Sequence, residues 1–129
     1  MSNRRAAVLC AVSFCAVLVS NAPRAWSHHS GAMFDAEKSL TLAGSVKEFQ
    51  WTNPHCWIQL DVPAEGGGTE EWSVEMAAPL QLYQNGWRPG TLKPGDRISV
   101  VVHPMRDGTK GGLFLSAESL DGKQLGKQP

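Results

Sequence analysis

Between residues 40 and 120 the chain is a series of short segments in which apolar and polar side chains alternate, each ended by glycine or proline. A chain of this kind buries one side of each segment and wets the other, which is the pattern of strands folded over a single core. Leu40, Leu42, Gly44 and Val46 alternate with Thr41, Ala43, Ser45 and Lys47, with Gly44 marking a bend or bulge. After Lys47 the alternation changes phase to reach Phe49 and Trp51, as one extra residue in a long coiled strand would cause. The turn Thr52-Asn53-Pro54 leads into a second strand, His55 to Val62. Its Cys56, Ile58, Leu60 and Val62 share one face, and His55, Trp57, Gln59 and Asp61 share the other. Gly66-Gly67-Gly68 makes a hairpin tip, and a third strand, Glu71 to Met76, turns Trp72, Val74 and Met76 inward and Ser73 and Glu75 outward.

Pro79 opens a short helix carrying Leu80, Leu82 and Tyr83, which Asn85-Gly86 stops, and Trp87 falls where an apolar residue folds back on the last turn. Lys93-Pro94-Gly95-Asp96 reads as a tight turn before a strand with Ile98, Val100 and Val102 on one face and Ser99, Val101 and His103 on the other. A turn-rich loop, Pro104 to Gly112, leads to the last strand near Leu113 to Leu120. Three strands, a helix and two strands, with a long bent first strand, predict an all-β fold with one short helix. The architecture expected is a small OB-like five-stranded Greek-key barrel. The competing architecture is a small β-sandwich with the helix across one end, because strand order alone does not decide closure. The domain is placed at residues 40–120, after an N-terminal segment 28–39, and the polar tail 121–129 is expected to fray.

The beginning of the chain reads as a secretory signal over residues 1–27. Arg4 and Arg5 precede an apolar run from Ala6 to Val19, and the small residues Ala25 and Ser27 stand at the positions that signal peptidase inspects. Cleavage after Ser27 makes His28 the N-terminus of a periplasmic or secreted protein with no stable membrane span. It also removes Arg4, Arg5 and Arg24 from 12 basic residues while all 12 acidic ones remain, a net charge of about −3. Mild acidity and export together argue against a nucleic-acid partner, which requires a basic stripe. Cys10 and Cys15 leave with the signal, so Cys56 has no partner for an internal disulfide and reads first as a small buried hydrophobe.

The segments His28-His29-Ser30, Phe34-Asp35, Gly44-Ser45-Val46, and Trp51 through Ile58 with its Trp-Thr-Asn-Pro-His-Cys-Trp-Ile, together with Trp72-Ser73-Val74-Glu75, Gly86-Trp87 and Leu92 to Asp96, carry a resemblance. The chain resembles the exported bacterial family catalogued as domain of unknown function 6152, over nearly all of its mature length. The resemblance implies export and a single small domain, and it implies no reaction.

Function therefore has to come from side chains, and three constellations are candidates. The amine and ring of His28, next to His29, can chelate a metal ion, and His55 or His103 could complete a copper site; the plainer alternative is a polar start to the mature chain. The second constellation is the outer face of strands two and three. There a hairpin that sets Asp61 beside Glu71 also sets Gln59 beside Ser73 and Trp57 beside Glu75, with His55 one step beyond. OB barrels bind extended ligands on this surface, with Trp57 as stacking face and His55, Gln59, Ser73 and Glu75 as polar contacts. The competing reading is packing, with Trp57 covered by the segment around Met33 and Phe34. The third is His103 with Met105, Arg106 and Asp107, a ligand or gate in one reading and ordinary surface in the other.

Met33, Met76 and Met105 invite comparison with periplasmic OB-type copper and silver carriers, which use His, Met and Trp, although Met76 points inward and no spaced motif matches. For an enzyme there is little: no nucleophile elbow, no glycine-rich phosphate loop, and only His55 and Glu75 as acid/base candidates. The expectation is a non-catalytic periplasmic binding or accessory module for a small molecule or an exported protein. It should need no cofactor to fold, and copper is the alternative ligand.

Overall fold

Residues 31–126 are described by a computed structural model of the chain. The signal segment, His28 and His29 lie outside the described residues, as do the last three positions. Five strands make up the fold: β1 (Leu40–Gln50), β2 (Trp57–Pro63), β3 (Thr69–Glu75), β4 (Arg97–Pro104) and β5 (Gly111–Ser119). One helix, α1 (Pro79–Gln84), lies between β3 and β4, and a single 3-10 turn, Gly31–Met33, precedes β1. The strand order β1-β2-β3-β5-β4 closes into a barrel because β1 also pairs with β4. Every pairing is antiparallel except that of β3 with β5. This is the five-stranded Greek-key barrel of the OB type, and closure removes the sandwich from consideration.

The length of β1 makes closure possible. Leu40 to Ser45 pair with β4, Ser45 to Gln50 pair with β2, and the register shifts between Val46 and Glu48, where the alternation of the sequence changes phase. Gly44 has a different role from a bend. A Cβ there would lie 2.4 Å from the carbonyl oxygen of Asp61, so only glycine lets β2 cross this close to β1. Inside, Val46, Ile58, Leu60, Val74, Val100 and Val102 are at most 1 % exposed, as their place on the alternating faces requires. The alternation fails to forecast β5. A register shift between Val101 and Val102 makes Leu115 an extra residue, so Gly112 and Phe114 face inward and then Ala117 rather than residue 116.

Helix α1 begins with Pro79 in its first turn and ends as its sequence suggests. Gly86 adopts a φ of +88° and donates to Tyr83 O at 3.2 Å, while Trp87 N donates to Leu82 O at 3.0 Å, the Schellman arrangement. That turn aims Trp87 into the barrel, where it is 0 % exposed against Phe49 and Phe114. The tail folds back on the barrel over its described part. Ser119 and Leu125 donate to the carbonyls of Lys123 and Ala117, Leu125 packs on the core, and Gly126 lies over the Trp87 indole. Among the described residues no helix is long and apolar enough to cross a membrane.

Candidate ligand pocket

Hairpin pairing sets Trp57 opposite Glu75, Gln59 opposite Ser73 and Asp61 opposite Glu71, the register anticipated from the alternation of the two strands. On the outer face the hydroxyl of Ser73 donates to Gln59 Oε1 at 2.6 Å. His55, just before β2, is fixed on both sides: Thr52 Oγ1 donates to its carbonyl at 2.9 Å, and Cys56 N donates to Ala77 O at 3.1 Å. Its Nδ1 meets the Glu75 carboxylate. This contact ties the imidazole, at the end of the β1–β2 loop, to the last residue of β3.

The wall facing these residues is built from segments remote in sequence. Residues 31–39 run along the end of β4: Asp35 N donates to Pro104 O at 2.8 Å, Arg106 N donates to Met33 O at 2.9 Å, and Phe34 bridges to Met105. The Asp35 carboxylate, 11 % exposed, takes Lys38 Nζ at 3.0 Å and the amide of Glu37 at 3.3 Å, and stands 3.7 Å from Arg106. The Lys38 hydrogen bond, helped by these neighbours against the opposing cost of burial, holds its pKa below the ordinary carboxylate range. Across the β4–β5 loop, Asp107 accepts from the hydroxyl of Thr109 at 2.7 Å and from its amide at 3.0 Å, which likewise lowers its pKa.

Between the two walls lies a cavity of about 510 Å³, within the ordinary size of a small-molecule site. Pro54 and His55 of the β1–β2 loop, Trp57, Ser73 and Glu75 of the strands, and Met33, Phe34 and Met105 of the far wall line it, with Gly111 and Gly112 of β5 contributing bare backbone. A Cβ on Gly112 would lie 2.6 Å from Val102 Cγ2, so β5 can sit this close only with glycine there.

Four of the five proposed ligand contacts, His55, Trp57, Ser73 and Glu75, therefore share one cavity, while Gln59 stands behind it as the partner of Ser73. The packing alternative for Trp57 is half met, since Phe34 is 6 % exposed and forms part of the wall without closing the cavity. The proposed metal set is not assembled among the described residues. His103 Nδ1 lies 2.7 Å from the Lys38 carbonyl oxygen and does not line the cavity with His55. No three His, Cys, Asp or Glu residues are grouped to hold a metal ion among the described residues. Cys56 is 0 % exposed, and desolvation raises the pKa of its thiol, so it packs as a hydrophobe. Sequence reasoning did not find Met105 and Gly111-Gly112 as walls of the site. The glycine pair was the available signal, since adjacent glycines at the start of a strand mark close backbone approach.

Residues 16–116 match the model of a protein family described as "Family of unknown function (DUF6152)". Comparison with curated proteins finds no match. Among solved structures the chain is similar to Rim1, a mitochondrial single-stranded DNA binding protein from S. cerevisiae, with 13 % identity and a TM-score of 0.49 over 64 % of this chain and 93 % of that one. It is also similar to the dimeric N-terminal domain of PriB from Thermoanaerobacter tencongensis, with 16 % identity and a TM-score of 0.43 over 65 % and 97 %. These likenesses concern the path of the chain and assign no ligand. The expectation of no nucleic-acid partner is withdrawn beside them, since Rim1 is a single-stranded DNA binding protein.

Proposed function

This chain belongs to the family of unknown function DUF6152, and from its geometry we propose that it is a non-catalytic binding or accessory module of the periplasm. Its ligand seat is the cavity over the β2–β3 face. The observation that carries the reading is the position of that cavity between the β1–β2 and β4–β5 loops, where OB barrels bind their ligands. An apolar body can lie against Trp57, Phe34 and the two methionines while a polar end meets His55, Ser73 and Glu75. Binding is favoured over catalysis because the Ser73 hydroxyl is committed to Gln59 rather than to a base. Export is supported by the charged, apolar and small-residue order of residues 1–27.

The test is amide and indole NMR of the purified protein titrated with a panel of small apolar acids and amines, short peptides and a single-stranded oligonucleotide. A ligand of this seat shifts the Trp57 indole together with the amides of Ser73, Gly111 and Gly112. If no member shifts these signals, or if shifts fall on the β4–β1 side of the barrel, the assignment of the seat is overturned.

A further inference from the structure

Resting on that reading of the cavity, we propose that its ligand is an uncharged aromatic molecule, a small planar ring compound whose polar part is a neutral hydrogen-bonding group such as a hydroxyl. Charge is the first ground. Among the described residues three ionisable side chains line the cavity: His55, Glu75 and Lys110. His55 and Glu75 are joined to each other through Nδ1 and the carboxylate. Lys110 sends its ammonium elsewhere. Its Nζ is 2.7 Å from the Glu70 carboxylate and 5.4 Å from the centre of the Trp72 ring, and neither of those residues lines the cavity. A charged ligand would give up water for walls whose own charges are already engaged, a cost that an uncharged one escapes.

The walls are the second ground. Trp57 and Phe34 are the aromatic residues of the lining, and Met33 and Met105 are its thioethers. Aromatic rings gain from stacked and edge-on pairing beyond the area they bury, and thioether sulfur makes favourable contacts with ring edges. Met76, 2 % exposed, fills space in the core, but Met33 is 52 % exposed and does not. A Cβ on Gly111 would lie 3.1 Å from Met105 Cγ, so the bare backbone there makes room for the Met105 side chain. Each wall favours a ring by itself, and a bound ring need touch only one of them. The hydroxyls of Ser73 and Thr109, also in the lining, donate to Gln59 and Asp107. Their remaining lone pairs accept, which suits a ligand hydroxyl or N–H without asking for charge.

The probes are four molecules of one shape, phenethyl alcohol, cyclohexylethanol, phenylacetate and phenethylammonium, titrated into the full chain as its host processes it, carrying ¹³C-methyl methionine. Phenethyl alcohol is expected to shift the Trp57 indole and the Gly111 amide and to move the Met33 or Met105 methyl upfield by its ring current, while the Met76 methyl stays in place. Cyclohexylethanol should bind about 5-fold more weakly, and the two ions at least about 10-fold more weakly. Trp57→Leu keeps an apolar side chain and should bring the two alcohols within about 2-fold of each other, whereas Trp57→Phe should keep the preference for the aromatic one. Should Trp57→Leu not fold, the ranking of the probes on the parent decides. The proposal is overturned if either ion binds more tightly than phenethyl alcohol, or if cyclohexylethanol binds as tightly; because Trp57 and Gly111 still move in those cases, the ligand seat stands. It is overturned in the same way if a single-stranded oligonucleotide moves these signals and phenethyl alcohol does not. If no probe moves them, both the ligand class and the seat fail.

Discussion

Trp87 and Trp57 belong to the same barrel and are treated in opposite ways. Trp87 is enclosed by Phe49, Phe114 and the returning tail, and its Nε1 has no hydrogen-bond partner among the described residues. Trp57 is half-buried beside a cavity in which every neighbouring strand residue on its face is polar. The interior surrounds its tryptophan with apolar contact, and the outer face keeps polar pairs in order at the expense of open apolar surface. The lesson is that burial follows from what covers a side chain, since both residues are tryptophans, one opening β2 and the other just past the end of α1.

The largest test of this contrast is Trp87→Ala, which should cost about 3–5 kcal/mol in urea denaturation, with Trp72→Ala in the same range. A loss under about 1 kcal/mol would mean that the tail and α1 close the barrel without the indole. Next comes Gly44→Ala, whose Cβ meets the Asp61 backbone and must push β1 from β2. About 1–3 kcal/mol is expected, read from thermal melting. Trp57→Ala should cost under about 1 kcal/mol while removing ligand-induced shifts at Ser73 and Gly111. If it destabilises more than Trp72→Ala, the two faces are not as distinct as described.

The smallest expected effect is on pH. The folded pKa of Asp35 is lowered, so its contribution is fully present above the ordinary carboxylate range and is lost as pH falls through the folded value. Amide protection at Asp35 and Arg106, corrected for intrinsic exchange, should therefore fall below about pH 4, whereas the amides of Ile58 and Val100 hold. Asp35→Asn should abolish the difference. A parallel loss at all four amides would show that the wall of the cavity is no looser than the core.

Much of this was legible in the chain. The β2–β3 register could be read because a three-glycine hairpin joins two alternating strands, and a slip by one residue would expose Ile58, Leu60 and Val74 together. The phase change after Lys47, the ends of α1 and the turn at Pro94-Gly95 were equally plain, because each rests on a few adjacent residues and their backbone preferences. Other features were hidden for a common reason. The necessity of Gly44 depends on Asp61, the depth of Trp87 on Phe49 and Phe114, and the order of the tail on Ala117, all distant in sequence.

The candidate site divides along the same line. The sequence by itself determined which side chains share the outer face of the hairpin, since a strand points alternate residues to opposite sides whatever surrounds it. Only the tertiary structure decided that this face is one wall of a cavity. The parallel pairing of β3 with β5 brings Gly111 beside Ser73, and β4 carries Met105 against Phe34. Alternation sets a direction for each side chain but says nothing about which remote segment stands opposite. That choice is made when the barrel closes and the burial of its common core outweighs the entropy of joining the distant pieces.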